Sequence, residues 1–259
     1  MLLRFHKNLQ LVQNRIDVIK YFNPGISIYG LFGGNKDEYP IFRKKLKQVE
    51  HILFWDESDT DVKWRFSDLS ILFWYENYGK SLNFDILHTI EYDLVLLDSF
   101  QNLYEYNPQD KHIYVTALVE LEKIKPISNW FNNPEFPTKQ CREIVRIFKE
   151  KYGLEKLYSC MAPGTTITRE FLDNYRKIEL PTIGFDEIRI PNIAQALNIP
   201  VESPGFVRDW FDRITIDFRL FNTNNHVVNI DDLYKYYKLG YQKAFHHVYD
   251  EIDIERLEK

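Results

Sequence analysis

The stretch LHTIEYDLVLLDSF, from Leu87 to Phe100, constrains this chain more than any other. Two acids spaced i, i+2, Glu91 and Asp93, precede four consecutive aliphatics, Leu94 to Leu97, and a third acid, Asp98, closes the run. An unbroken aliphatic run of this kind predicts a strand covered on both faces, in the middle of a parallel or mixed sheet. Charged groups are rarely buried alone, and a divalent cation is a partner that carboxylates share. In an extended segment i and i+2 side chains leave the same face, so Glu91 and Asp93 can reach one ion. Hard oxygen ligands of this type suit Mg²⁺ or Mn²⁺ on a diphosphate.

The chain has 259 residues, 44% of them hydrophobic, which is enough for a substantial core in one α/β domain. Aromatics make up 16%, a composition that argues against disorder. The formal net charge is −5, and the main basic run is Arg43-Lys44-Lys45 with Lys47, so nucleic acid is not an expected partner. Cys141 and Cys160 have no CxxC spacing and are too few for a disulfide scaffold, which predicts a reducing, cytoplasmic setting. Arg4, His6 and Lys7 interrupt MLLRFHKNLQ as a signal sequence. No apolar run approaches the roughly 20 residues that cross a bilayer, and a soluble protein is expected.

Apolar positions Leu9, Leu11, Val12, Ile16 and Ile19 predict a helical N-terminal segment over residues 1–25, ended by Asn23-Pro24-Gly25. Ile26 to Gly34 reads as a strand entering a glycine turn, Pro40 to Glu50 as a helix, and His51 to Trp55 as a second strand. This β-α-β alternation predicts a parallel sheet. A helix is expected over Lys63 to Tyr78, strands over Leu87 to Leu97 and His112 to Glu120, and a helix over Lys139 to Tyr152. Ser159 to Thr168 carries a turn at Pro163-Gly164. Helices follow in REFLDNYRKI, in FDEIRIPNIAQALN and in DDLYKYYKLGYQKAF, the last with Asp231 as its candidate cap.

Other side chains stand out as chemistry. Asp186-Glu187 opens a helix, where an acid either satisfies the helix dipole or serves as a general base. His246-His247 follows the last helix, and a neutral imidazole there can complete a metal site begun by carboxylates. Adjacent side chains point apart in most conformations, so one of the two is expected as a ligand. The Gly30, Gly33 and Gly34 turn lets backbone approach a phosphate, although its spacing matches neither a dinucleotide fingerprint nor a P-loop. Trp130-Phe131 and Trp210-Phe211 are candidates for stacking on a ligand ring, or for core packing. Cys160 reads as a buried thiol.

In this order, from Ile26 to Tyr249, the elements resemble a nucleotide-sugar-dependent glycosyltransferase of the GT-A fold. The resemblance implies a single GT-A-like domain over 26–250, with a central mixed, mostly parallel sheet flanked by helices. Residues 26–125 would be its nucleotide-binding half, 126–250 its acceptor half and 251–259 a tail. It implies Mn²⁺ or Mg²⁺ bridging the donor diphosphate, held by Glu91 and Asp93 in an ExD form of the family's acidic motif. In an alternative alignment Asp98 is the first acid, and Phe100 then leaves the motif degenerate. By the same resemblance His246, ahead of His247, completes the metal set, and Asp186 or Glu187 is the base of an inverting enzyme. Gly33, Gly34, Asp56 and Asp68 fall where such enzymes hold the nucleotide. The partners implied are a nucleotide sugar and a glycan or other hydroxyl acceptor. A rival expectation is an inactive GT-A-like module that binds a nucleotide sugar or glycan. A nucleotidyltransferase ranks lower, because its glycine- and lysine-rich phosphate loop is not evident.

Overall fold

A computed structural model describes residues 1–105, 111–207, 215–223 and 226–258. The chain begins with β1 (Leu2–Phe5), α1 (Leu9–Phe22), β2 (Tyr29–Phe32), α2 (Tyr39–Lys45) and β3 (His51–Phe54). Next come α3 (Thr60–Arg65), α4 (Ser67–Asn77), β4 (Ile86–Glu91), β5 (Val95–Leu96) and α5 (Phe100–Tyr104). The middle holds β6 (Ile113–Glu120), α6 (Leu121–Ile124), α7 (Asn129–Asn132), α8 (Thr138–Tyr152), β7 (Tyr158–Thr168) and α9 (Arg169–Asn174). It closes with α10 (Asp186–Ala196), β8 (Val201–Glu202), α11 (Ile216–Leu220), α12 (Ile230–Lys238), β9 (Ala244–Phe245) and α13 (Glu255–Glu258). The fold is α/β with mixed, mostly parallel strands, as expected.

Two compact units form. The first comprises Met1–Asp56, His88–Pro108 and Pro204–Lys259. In it β3, β2, β1 and β4 lie side by side and parallel, with Arg4 opposite Glu91 and Phe5, Phe32 and Phe54 in register. Parallel strands finish at one edge. That edge therefore gathers His6, Gly33-Gly34, Trp55-Asp56 and the residues that follow β4, and the carboxyl ends of strands are where α/β sheets bind ligands.

Leu2–Phe5 was expected within a helical segment and is instead β1, paired on both sides. Leu94 to Leu97 are buried as expected, but only Val95–Leu96 is strand, and it pairs antiparallel with β9. A turn through Tyr92 and Asp93, closed by Leu94 N–H donating to Glu91 O at 3.0 Å, separates it from β4. The acids therefore end β4 rather than precede a central strand. β5 and β9 sit on a core that includes Val18, Leu97, Leu220, Val228, Leu233, Phe245 and Val248.

The second unit comprises Glu57–Leu87 and Gln109–Ser203. β6 runs antiparallel to β7 and parallel to β8. Pro163-Gly164 lies inside β7 as an irregularity, with Gly164 at φ 78°, Ala117 at φ 53° and Thr116 Oγ1 donating to Pro163 O at 2.9 Å. The helix expected over Lys63 to Tyr78 is broken at Phe66 into α3 and α4. α10 begins at Asp186 and tolerates Pro191 inside. The carbonyl of Glu187, four residues before that proline, accepts a weak hydrogen bond from the Cys160 thiol at 3.5 Å. In the first unit α12 is capped by Asn229 rather than Asp231, its side-chain oxygen accepting from Asp231 and Asp232 N–H.

Candidate metal centre

The first unit brings Asp93, His246 and His247 together, with one ligand atom from each lying within 4.8 Å of the others. Successive backbone groups hold the histidine segment. His246 N–H donates to Leu220 O, His246 O accepts from Asn222 N–H, His247 O accepts from Val228 N–H, and Val248 N–H donates to Asp93 O at 2.8 Å. Asn222 is fully buried and binds His226 in both directions through its amide. The two imidazoles lie with centroids 3.6 Å apart, so both face the same place.

His246 is 1% exposed, and its Nδ1 lies 2.5 Å from Asn222 O. A carbonyl only accepts, so Nδ1 carries the proton, and a neutral ring then has its lone pair on Nε2. That Nε2 is 3.7 Å from Asp93 Oδ1 and 3.8 Å from Glu91 Oε2, and no hydrogen bond reaches it. A lone pair aimed at two carboxylates is repelled unless a positive charge stands between them. His247 Nδ1 lies 2.9 Å from Asp93 Oδ2, and its Nε2 is buried with no hydrogen-bond partner. Either neutral tautomer of His247 leaves at least one ring nitrogen unmatched. Ligands about 2.1 Å from a central ion lie roughly 3.0 Å apart when adjacent and roughly 4.2 Å when opposite. The observed separations fall within or close to that range, and this donor set fits a divalent cation.

The electrostatics agree. Burial pushes the Asp93 carboxyl up, but His246 and His247 override it and hold the group well below the usual carboxylate range. Burial lowers the His246 imidazole, and Asp93 and Glu91 more than reverse the shift, so the net direction is upward. A site that favours a proton on Nε2 favours a metal ion for the same reason. Glu91 also pairs with Arg4 on the neighbouring strand. Tyr249, stacked near His247 at 6.1 Å, has its hydroxyl pushed up to about 12 by burial and by Asp93.

Asp98 is not part of this cluster. It pairs with Lys243, accepts from Asn102 Nδ2 at 2.9 Å and from Ser99 N–H at 2.7 Å, and so helps start α5. Gly33 and Gly34 sit at the strand edge, where Gly33 N–H donates to Phe5 O. A Cβ at Gly34 would run into the His6 carbonyl oxygen and the Phe32 ring. Asp56 is exposed at the end of β3 and pairs with Lys36 at 3.2 Å.

Asp68, Asp186 and Glu187 belong to the second unit. The Asp68 side chain has 0% exposure and is bound to Arg189 at 2.7 Å and to the Tyr175 hydroxyl. Asp186 is buried and accepts from Ser67 N–H at 3.1 Å and Glu187 N–H at 2.8 Å, which joins the starts of α4 and α10. Glu187 is half-buried. Trp130 stacks on Phe185 at 4.0 Å and Phe131 is buried, whereas Trp64, which borders Trp130, is 63% exposed. Trp210-Phe211 lie outside the described residues.

Asn222, Tyr249 and Arg4 were not candidates from sequence. A buried Asn or Arg carries no local pattern, and their signal is long-range pairing. His247 was ranked behind His246, yet it makes the shorter approach to Asp93.

No family model matches the chain, and no curated protein matches it. Among solved structures it is similar to galactosyltransferase LgtC in complex with donor and acceptor sugar analogs, at 12% identity and TM-score 0.42, over 78% of this chain and 73% of that one. It is also similar to 4-diphosphocytidyl-2C-methyl-D-erythritol synthase from Anaerococcus prevotii DSM 20548, at 11% and 0.43, over 78% and 84%. A third is the bifunctional glycosyltransferase WbbM, at 9% and 0.44, where 95% of this chain spans 45% of that protein. Likeness at these scores leaves the functional argument to the residues. Fold and site define an α/β protein with an Asp/His/His cluster beyond the carboxyl ends of parallel strands. Among the described residues, no helix is long and apolar enough to cross a membrane.

Proposed function

We propose that this protein is a metal-dependent glycosyltransferase that takes its sugar from a nucleotide-sugar donor and passes it to a hydroxyl acceptor. The observation that carries the proposal is His246 Nε2, buried and facing Glu91 and Asp93 while Nδ1 is committed to Asn222 O. Asp93, His246 and His247 would hold the cation, with Glu91 beside them. Bound there, the cation would neutralise the departing diphosphate. Imidazole ligands favour Mn²⁺ over Mg²⁺, which prefers oxygen alone. Gly33-Gly34 and Asp56, at the same strand edge, are the residues proposed to meet the nucleotide.

The test is release of nucleoside diphosphate from a panel of UDP- and GDP-sugars, with Mn²⁺, Mg²⁺ or chelator. Mn²⁺-dependent release, lost in Asp93→Ala, is expected. Turnover that persists in chelator or in that variant would remove the metal assignment. The capping role of Asp186 favours one second reading, a nucleotide-sugar-binding module without catalysis. Calorimetric binding of a donor without turnover is its signature.

A further inference from the structure

Two neighbouring residues on α1, Asn14 and Arg15, grip the segment that follows the histidines. Arg15 is 1% exposed, and its Nη2 donates to Val248 O at 2.9 Å and to Asp250 O at 2.8 Å. Its Nη1 donates to Asn14 Oδ1 at 2.6 Å. Asn14 exchanges a pair of hydrogen bonds with Ile252, Nδ2 to Ile252 O at 2.9 Å and Ile252 N–H to Oδ1 at 2.8 Å. The strap begins one residue after His247, at Val248, and the Val248 N–H donates to Asp93 O. One guanidinium thus satisfies two carbonyls of a segment that is itself neither helix nor strand. Burial lowers the guanidinium to about 10, with Asp93 among the acids opposing that shift, and it stays charged at neutral pH.

We infer that Asn14 and Arg15 are positioning residues for the metal centre, holding residues 248–252 so that His246, His247 and Asp93 converge on one ion. Neither Arg15 nor Asn14 is among the residues that would hold the cation. They act through the backbone, as outer groups that orient ligands do, and loss of such groups weakens metal affinity about 10–100-fold. Arg is suited to the task because its planar fork spans two acceptors, which a lysine ammonium on a flexible stem does not reproduce. The inference rests on the proposed metal site.

The test compares wild type, Asn14→Ala and Arg15→Lys by Mn²⁺ titration, by the visible spectrum of the Co²⁺-loaded protein and by denaturant unfolding without metal. The expected result is saturable Mn²⁺ binding by wild type, weakened about tenfold or more in each variant, with a changed Co²⁺ spectrum in protein that is still folded. A purely structural role would lower the unfolding midpoint and leave affinity and spectrum at wild-type values, and that result overturns the inference. Should Arg15→Lys fail to fold, Asn14→Ala decides alone, since Asn14 is only half-buried. Absence of Mn²⁺ binding by wild type would instead overturn the metal site itself.

Discussion

His246 has one ring nitrogen satisfied by a backbone carbonyl and the other facing carboxylates, and that asymmetry is the centre of the chemistry proposed. The residue types were legible: two acids, a histidine pair and a glycine turn. Their roles were less so. Adjacent side chains diverge in a strand, so one histidine was expected to serve, but the chain leaves β9 at His246 and the rings end up together. Asp98, attractive for its place after four aliphatics, is taken by Lys243 and by the start of α5. At Gly34 the need for glycine is steric, because a Cβ would meet backbone as well as the Phe32 ring. Gly34→Ala is therefore expected to cost about 1–3 kcal/mol. An unchanged thermal midpoint would contradict the close approach described.

Elements with a clear period were readable, and α8, β3 and β6 fall within two residues of expectation. β1 was not, because four residues cannot distinguish strand from helix start when Arg4 interrupts them. β4 falls within the strand expected over Leu87 to Leu97 but stops at Glu91, and it carries two buried polar residues, His88 and Thr89. His88 stacks on Phe100 at 4.2 Å, and burial lowers its imidazole from 6.5 to about 3. Below pH 6.5 the unfolded chain binds a proton at this position that the native chain refuses. Its contribution is therefore intact above pH 6.5 and falls by up to about 1.4 kcal/mol per pH unit down to about pH 3. His88→Gln should flatten the fall in unfolding free energy between pH 6.5 and 4. A slope equal to that of wild type would count against the burial of this imidazole.

At the scale of the whole molecule, what sequence could not supply was convergence. His247 and Asp93 are 154 positions apart, and the first unit assembles from three separate stretches of chain. The order of motifs was visible along the chain, whereas the pairing of β5 with β9, which carries the histidines to the acids, depends on two-residue strands with no pattern to read. The second unit has its own buried ionic network, Asp68 with Arg189 and Tyr175, which engages the acid that the resemblance placed at the nucleotide. The account therefore stands on one cluster. It is tested most directly by titrating Mn²⁺ into the wild-type protein and His246→Gln while following free Mn²⁺ by electron paramagnetic resonance. The prediction is one saturable Mn²⁺ per chain in wild type, and a loss of affinity of at least about 100-fold in a variant that unfolds as cooperatively as wild type. No saturable binding in wild type, or equal binding in both proteins, would contradict it.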